Sequence, residues 1–356
     1  MSRHIRRSNI MSVLTVAGLS LALLGACTML PANRGEFTGR FNDRSADPIG
    51  EELGFPNWPA PPEEIEVLLA REAFEIKSRV GAGAGLTGAQ KLMAHFPSAG
   101  IDVPFKWKRM DGRWKPLIGR LDGINNSPRK EIAAWRIQQL FLEPADYVVP
   151  LSVTYAFEVG IEGDDSEPTL DGTKCVLGTL SVWLNDVTVP DLVLEDHRFA
   201  RDPRYANSLS NLNLLTYLIA HHDGRRGNLM ISTHEDHPQV FAIDNGVAFG
   251  GIFYNWFVRN WSDLHVPALR RASIDRLRTL KRSDLESRLG VVAQLSLGKD
   301  GVYRNVPLRS NLDPSRGVRI AEESIQFGLT DGEIEDVWRR VEELIDDVDD
   351  GRIPVF

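Results

Sequence analysis

The chain has 356 residues, of which 42% are hydrophobic, 8% aromatic and 25% charged, a balance that can bury a sizeable core and excludes wholesale disorder. A formal net charge of -8 excludes sequence-independent attraction to nucleic acid, which needs a strong positive patch to displace counterions.

At the start, Arg3, Arg6 and Arg7 precede an apolar run from Ile10 to Leu24 that is too short for a spanning helix, which predicts a signal peptide over residues 1–26. Its end, Leu24-Gly25-Ala26-Cys27, resembles the lipobox of bacterial lipoproteins, whose cysteine is acylated and becomes the new N-terminus. The alternative is an ordinary signal peptide with a cysteine near its cleavage site. Each buried acyl methylene contributes about 0.8 kcal/mol, so several chains would hold the mature protein on a membrane. Because Thr28 rather than Asp follows Cys27, the resemblance implies sorting to the outer membrane, facing the periplasm or the cell exterior. With Cys27 lipidated, Cys175 has no disulfide partner and reads as a small core residue. Residues 27–62, ending in the Pro-rich run Pro56 to Pro62, predict a flexible tether. Its roughly 35 residues span on the order of 30–35 Å as a coil. No second hydrophobic run is long enough to cross a membrane.

From Glu63 the pattern predicts a helix through Ile65 to Phe74, then Arg79-Val80 and a glycine-rich run containing Gly83, Gly85 and Gly88, then a strand from Gln90 to Phe96. Glycines between two strands let backbone amides approach a phosphate, although such runs are more often simple loops. Val103 to Lys108 reads as a strand that puts Lys106 and Lys108 on one face. Either lysine could reach a phosphate, or both could be solvated on an edge strand. Ser127-Pro128 has the chemistry of a helix start, with Glu131 in the first turn and Ala133, Ile137, Leu140 and Phe141 on a buried face. Two apolar strands follow, Tyr147 to Val153 and Val176 to Leu184, separated by an acidic loop from Glu158 to Gly172, with a crossover from Asn185 to Pro190.

Leu209 to Ala220 is apolar on nearly every side and predicts a buried helix that delivers His221 and Asp223 into a cleft. Asp223 precedes Asn228 by five positions, and Asp244 stands where the strand Val240 to Ile243 ends. Protein kinases use such a set for a base and two metal ligands. Further on, Ile252 to Trp261 is aromatic-rich, Leu264 to Leu289 mixes Arg with apolar residues as surface helices do, and Thr330 to Glu333 forms a capping box. Ile334, Val337, Trp338, Val341 and Ile345 then make one apolar stripe, followed by a solvated tail at Asp346 to Asp350.

Taken together, Phe105-Lys106, Glu131 to Ala134, Asp223 to Asn228, Ile243 to Gly246 and Phe249-Gly250 resemble the secretory-pathway kinase family typified by the Golgi casein kinase. The resemblance covers roughly Val80 to Gly250. It implies an α+β, two-lobed protein-kinase-like fold, with a small β-rich N-lobe carrying one key helix (63–187) and a larger, mainly helical C-lobe (188–356). It also implies ATP and Mg²⁺ or Mn²⁺ as cofactors and a hydroxyl-bearing acceptor on a protein, glycan or lipid. On the family pattern Lys106 is the nucleotide lysine paired with Glu131, Asp223 is the catalytic aspartate, Asn228 and Asp244 hold the metals, and Gly83, Gly85 and Gly88 cover the nucleotide. Asn228 departs from the family, which tends to carry an acidic residue there, and is similar to protein kinases and phosphatidylinositol kinases.

Other readings remain open at this level. A nucleotide-binding pseudokinase scaffold would keep the cleft without needing all of Lys106, Glu131, Asp223, Asn228 and Asp244. An adenylate transferase would use the same pocket with the nucleotide reversed. A metal-dependent hydrolase could draw on His221, His222, His234, His237, Asp223 and Asp236, although adjacent histidines do not face one ion on a regular element and no H-E-x-x-H pattern occurs.

Overall fold

Side chains alternate across a β-strand, and the fold follows from how that alternation divides the first sheet. The structure, a computed structural model, describes residues 54–82, 88–110, 128–160, 167–250, 261–321 and 323–356. Strands β1 (Glu75–Gly81), β2 (Gln90–Phe96), β3 (Ile101–Arg109), β4 (Ser152–Glu158) and β5 (Cys175–Val182) form a five-stranded sheet in the order β1-β2-β3-β5-β4. Every neighbouring pair is antiparallel. One row across it is Leu92, Phe105 and Val182; the adjacent row, on the opposite face, is Lys91, Lys106, Ser181 and Ser152.

The apolar face closes over aromatic residues. Phe74 lies 5.5 Å from Phe96 and 6.4 Å from Phe105 between ring centroids, and Trp107 meets Phe157 edge-on at 4.7 Å. Phe96, Phe105 and Trp107 are fully buried, each removing apolar area worth about 1.5–3 kcal/mol from water. Gly178 on β5 allows the close approach this requires: a Cβ there would stand 2.4 Å from the Lys108 carbonyl oxygen and 2.6 Å from the Trp107 ring.

The polar face meets helix α2 (Pro128–Gln138), which lies between β3 and β4 in sequence and packs on β4 and β5. Nearly every side of α2 is buried, including Arg129 and Glu131. Arg129 donates to both carboxylate oxygens of Glu333, at 2.5 and 2.9 Å. Glu333 is itself the reciprocal partner in the capping box of the last helix, where it accepts from the Thr330 amide.

The second half is mainly helical. Helix α3 (Asp196–Arg201) leads to α4 (Pro203–Leu218), whose start is fixed by Pro203 and by the Asp202 side chain accepting from the amides of Arg204 and Tyr205. Leu209, Leu212, Leu214, Leu215 and Leu218 are all fully buried, and so are the polar Ser210, Asn211, Asn213 and Thr216 of the same helix. Short strands β6 (Val187–Thr188), β7 (Leu229–Ser232) and β8 (Val240–Ala242) form a three-stranded sheet beside it. Helices α5 (Arg271–Thr279) and α6 (Arg282–Leu289) are followed by β9 (Ala293–Leu297), β10 (Tyr303–Asn305), β11 (Val318–Ala321) and β12 (Ser324–Phe327), a four-stranded sheet ordered β10-β9-β12-β11. Helix α7 (Asp331–Asp349) closes the chain with Ile334, Val337, Val341 and Leu344 inward. The architecture is α+β: a five-stranded antiparallel sheet with a helix between its third and fourth strands in sequence, followed by a larger part that holds helices α3–α7 and two smaller sheets.

Several boundaries differ from the sequence reading. The helix expected through Phe74 is α1 (Pro62–Arg71), and Phe74 leaves it to enter the aromatic cluster. Tyr147 to Leu151 is not strand: Pro150 interrupts it, and the Gln138 side chain instead accepts from the amides of Val148 and Val149. Within the segment expected as a tether, Asn57 and Trp58 are buried and the Asn57 amide donates to the carbonyls of Asn185 and Asp186. Asp346 to Asp349 belong to α7 rather than to a tail. The sheet β9–β12 was not anticipated, and it reaches back toward the first sheet, where Asn305 donates to the Thr154 carbonyl. Cys175 is buried and free. Residues 1–53, with Cys27, lie outside the described residues, as do Ser127 and 251–260. Among the described residues no helix is long and apolar enough to cross a membrane.

Candidate active site

Between the polar face of the first sheet and the loops around β7 and β8 lies a cleft of about 980 Å³, at the upper end of the usual range for ligand pockets, roughly 300–1,000 Å³. Its roof is Lys91, Lys106 and Lys108; its floor includes Met230 and Ile243; Asp223, Asn228 and Asp244 line the far side. The segment Trp183 to Val187 closes one edge.

Lys108, not Lys106, is the lysine at the centre. Its Nζ donates to Asp244 Oδ1 at 2.6 Å and lies 3.9 Å from Glu131 Oε1, and its side chain is 9% exposed. Lys106 is 26% exposed, reaches Asp244 only at 3.7 Å and makes no ion pair with Glu131 among the described contacts. The expected Lys106–Glu131 pair is therefore corrected to Lys108–Glu131. Both lysines share a face, and Lys108 is the one whose position along β3 comes opposite the first turn of α2. Glu131 also accepts from the Asn245 amide at 2.9 Å, which ties α2 to the loop after β8.

These charges shift one another. Burial alone would discharge Lys108, but Glu131 and Asp244 outweigh it and raise its pKa above the usual lysine value. Burial pushes the Glu131 carboxyl up; Lys108 opposes this, while the Asp244 charge adds to it. For Asp244, burial is overcome by Lys108 and Lys106, and the net direction is down. Asp244 has left-handed backbone, with φ 61° and ψ 51°, a conformation that non-glycine residues adopt at a cost and that concentrates at functional sites.

Asp223 and Asn228 sit on the loop after α4. The Asn228 amide donates to the Asp223 carbonyl and to Asp223 Oδ2, both at 2.8 Å, while Arg225 lies 3.2 Å from Asp223 Oδ1. Using both amide hydrogens in this way leaves the Asn228 oxygen as an acceptor at the cleft. Beneath the loop, fully buried His221 is held neutral, its pKa lowered to about 4 by desolvation. It does not line the cleft.

The donor set at this end of the cleft, an amide oxygen from Asn228 and a carboxylate from Asp244, fits a hard divalent cation. Mg²⁺ in particular is commonly held by one or two protein carboxylates plus substrate phosphates. Among the described residues no zinc hydrolase centre forms. His222 Nε2 lies 3.1 Å from the Gly250 carbonyl, His234 pairs with Asp186 at 3.4 Å, and no group of three or more His, Cys, Asp or Glu gathers to hold a metal among the described residues.

Gly88 stands at the edge of the β1–β2 turn with φ +63°, and Ala82 donates to the Ala89 carbonyl to close it. Gly83 and Gly85 lie outside the described residues. The sequence reading missed Lys91, Thr179 and Ser181 as cleft residues. Alternation could have placed them on the correct face, but only the strand register brings them together.

No family model matches the sequence, and no curated protein matches it. Among solved structures, the chain is similar to a hydra Fam20 determined with sugar, at 16% identity over 82% of this chain and 91% of that one, with a TM-score of 0.48. It is also similar to the Golgi casein kinase with Mn/ADP bound, at 14% identity over 80% of this chain and 75% of that one, with a TM-score of 0.42.

Proposed function

We propose that the chain is a phosphotransferase that moves the γ-phosphoryl group of ATP to a hydroxyl on a protein, glycan or lipid. The supporting observation is the convergence of Lys108, Glu131 and Asp244, from β3, α2 and the loop after β8, on one cleft that Asp223 and Asn228 also line.

Phosphoryl transfer asks little covalent chemistry of the protein and much positioning and charge neutralisation. Lys108, held by Glu131 and Asp244, places a fixed positive charge where phosphate oxygens enter. Asn228 and Asp244 are the residues that would hold Mg²⁺ or Mn²⁺, which when bound would neutralise charge on the phosphates. Asp223, oriented by Asn228, accepts the proton of the acceptor hydroxyl as its oxygen bonds to phosphorus and the bond to the ADP leaving group breaks. Lys106 assists from a more exposed position beside Asp244.

Acylated at Cys27, the mature protein is an outer-membrane lipoprotein whose body faces the periplasm or the cell exterior. Metabolic labelling with a palmitate analogue tests this, and an unlabelled, soluble mature form would rule the anchor out. For the site, calorimetry should find that Asp244→Ala abolishes metal-dependent ATP binding while Asp223→Ala retains it. Unchanged ATP and Mn²⁺ affinity in the Asp244 variant would contradict the ligand assignment.

A further inference from the structure

One wall of the cleft carries a pair of hydroxyls that the phosphate chemistry does not use. Ser152 on β4 and Ser181 on β5 stand directly opposite one another, and both line the cleft. Ser152 is buried and Ser181 half-buried. Their oxygens are 2.8 Å apart, an ordinary O–H···O distance, and Ser152 Oγ lies 3.3 Å from the Pro150 carbonyl oxygen. Ser181 is two residues along β5 from Thr179, the residue opposite Lys108, so the pair is displaced by about 7 Å from the Lys108 row. The displacement is toward the edge formed by Trp183 to Val187, and the cleft floor includes half-buried Met230 and Ile243. A flat ring resting on that floor has hydroxyls within reach of its rim.

The pair has two hydrogen-bond arrangements. Two hydroxyl protons serve the three oxygens, and the Pro150 carbonyl only accepts. With Ser181 donating to Ser152 and Ser152 to Pro150, the Ser181 oxygen is left as an acceptor toward the cleft. With Ser152 donating to Ser181, the Ser181 proton is free to donate into the cleft. What the second arrangement gives up is the 3.3 Å contact, already longer than the usual range of about 2.5–3.0 Å, so the two lie close in energy.

We propose that Ser181, backed by Ser152, reads the edge of a purine base in either sense. The first arrangement accepts from the amino group of adenine, and the second donates to the carbonyl that guanine carries at the same ring position. The inference rests on the reading of the cleft as a nucleotide site. It adds that the phosphoryl donor is a purine nucleoside triphosphate, taken with little preference between ATP and GTP.

Calorimetry of the purified protein with ATP, GTP and tripolyphosphate at fixed Mn²⁺ tests the proposal, with transfer from each nucleotide followed in parallel by mass spectrometry. Wild type should bind ATP and GTP within about tenfold of each other, whereas a site built for one sense alone leaves a group unpaired with the wrong base and rejects it far more strongly. Ser181→Ala should weaken both nucleotides about three- to tenfold, the loss of one hydrogen bond, and leave tripolyphosphate, which has no base, within about twofold. Ser152 keeps its Pro150 contact in that variant, so no buried hydroxyl is stranded and the urea midpoint should stay at the wild-type value. GTP binding to wild type more than about tenfold weaker than ATP, unchanged nucleotide affinity in Ser181→Ala, or an equal loss for tripolyphosphate would overturn the proposal. The expected binding pattern in a protein that transfers phosphate from neither nucleotide would leave the base reading standing and remove the phosphotransfer reading.

Discussion

Replacing Lys108 by methionine strips two carboxylates of their shared cation. Its side chain and that of Glu131 are each 9% exposed, and its contacts at 2.6 Å to Asp244 and 3.9 Å to Glu131 are the shortest that Glu131 and Asp244 make to any lysine. Removing one partner of a buried ion pair costs about 3–5 kcal/mol, because the remaining charge is left without compensation. Lys106→Met, at a side chain 26% exposed and 3.7 Å from Asp244, should cost only about 0–1 kcal/mol. Adding Glu131→Gln to Lys108→Met removes the stranded charge and should recover a large part of the loss. The raised pKa of Lys108 fixes the sign of the pH dependence: its contribution is full below the unfolded value of 10.5 and is lost as pH rises through the folded one. Urea unfolding at constant m-value gives all three numbers. Equal destabilisation by the two lysine substitutions, or a deeper loss on adding Glu131→Gln, would refute the assignment of Lys108 as the central lysine.

Burial holds the His221 pKa at about 4 against 6.5 unfolded, so the folded state binds fewer protons within that window and stability falls as pH drops through it. The size is about 3 kcal/mol. Urea unfolding between pH 7 and 4.5 should show this slope, and His221→Asn should flatten it; an equal slope in both proteins would contradict it. Arg129→Met leaves the Glu333 carboxylate without its buried partner and should cost about 3–5 kcal/mol. A loss under about 1 kcal/mol would show that the link between α2 and α7 is incidental. Gly178→Ala forces a methyl against the Lys108 carbonyl and Trp107 and should destabilise by about 1–3 kcal/mol or more; an unchanged melting temperature would contradict the close approach.

Much of this was legible in the sequence because it is written locally. The strands at 90–109, the start of α2 and the capping box at Thr330 each depend on residues a few positions apart. So does the placement of Asp223 and Asn228, because the buried helix before them and their five-residue spacing lie in one stretch. The choice between Lys106 and Lys108 was not legible. Both satisfy the alternation, and the difference is how far along β3 the first turn of α2 comes to rest, which packing decides. The pairing of Arg129 with Glu333 spans 204 positions, and no local pattern announces it. The sheet β9–β12 escaped for another reason: its strands are three to five residues long, and polar positions such as Gln294, Arg319 and Gln326 are buried in it by hydrogen bonds rather than by apolar alternation. Tyr147 to Leu151 misled in the opposite sense, since it looks like a strand but is held by the side chains of Gln138 and Gln239.

The most direct test of phosphotransfer is mass spectrometry of the purified protein, incubated with ATP and Mn²⁺ alone and with membrane, glycan and protein extracts. Phosphate additions are expected on the protein or an acceptor, lost in Asp223→Ala although that variant still binds ATP. Adenylate additions in place of phosphate, or identical phosphate additions with the Asp223 variant, would contradict it.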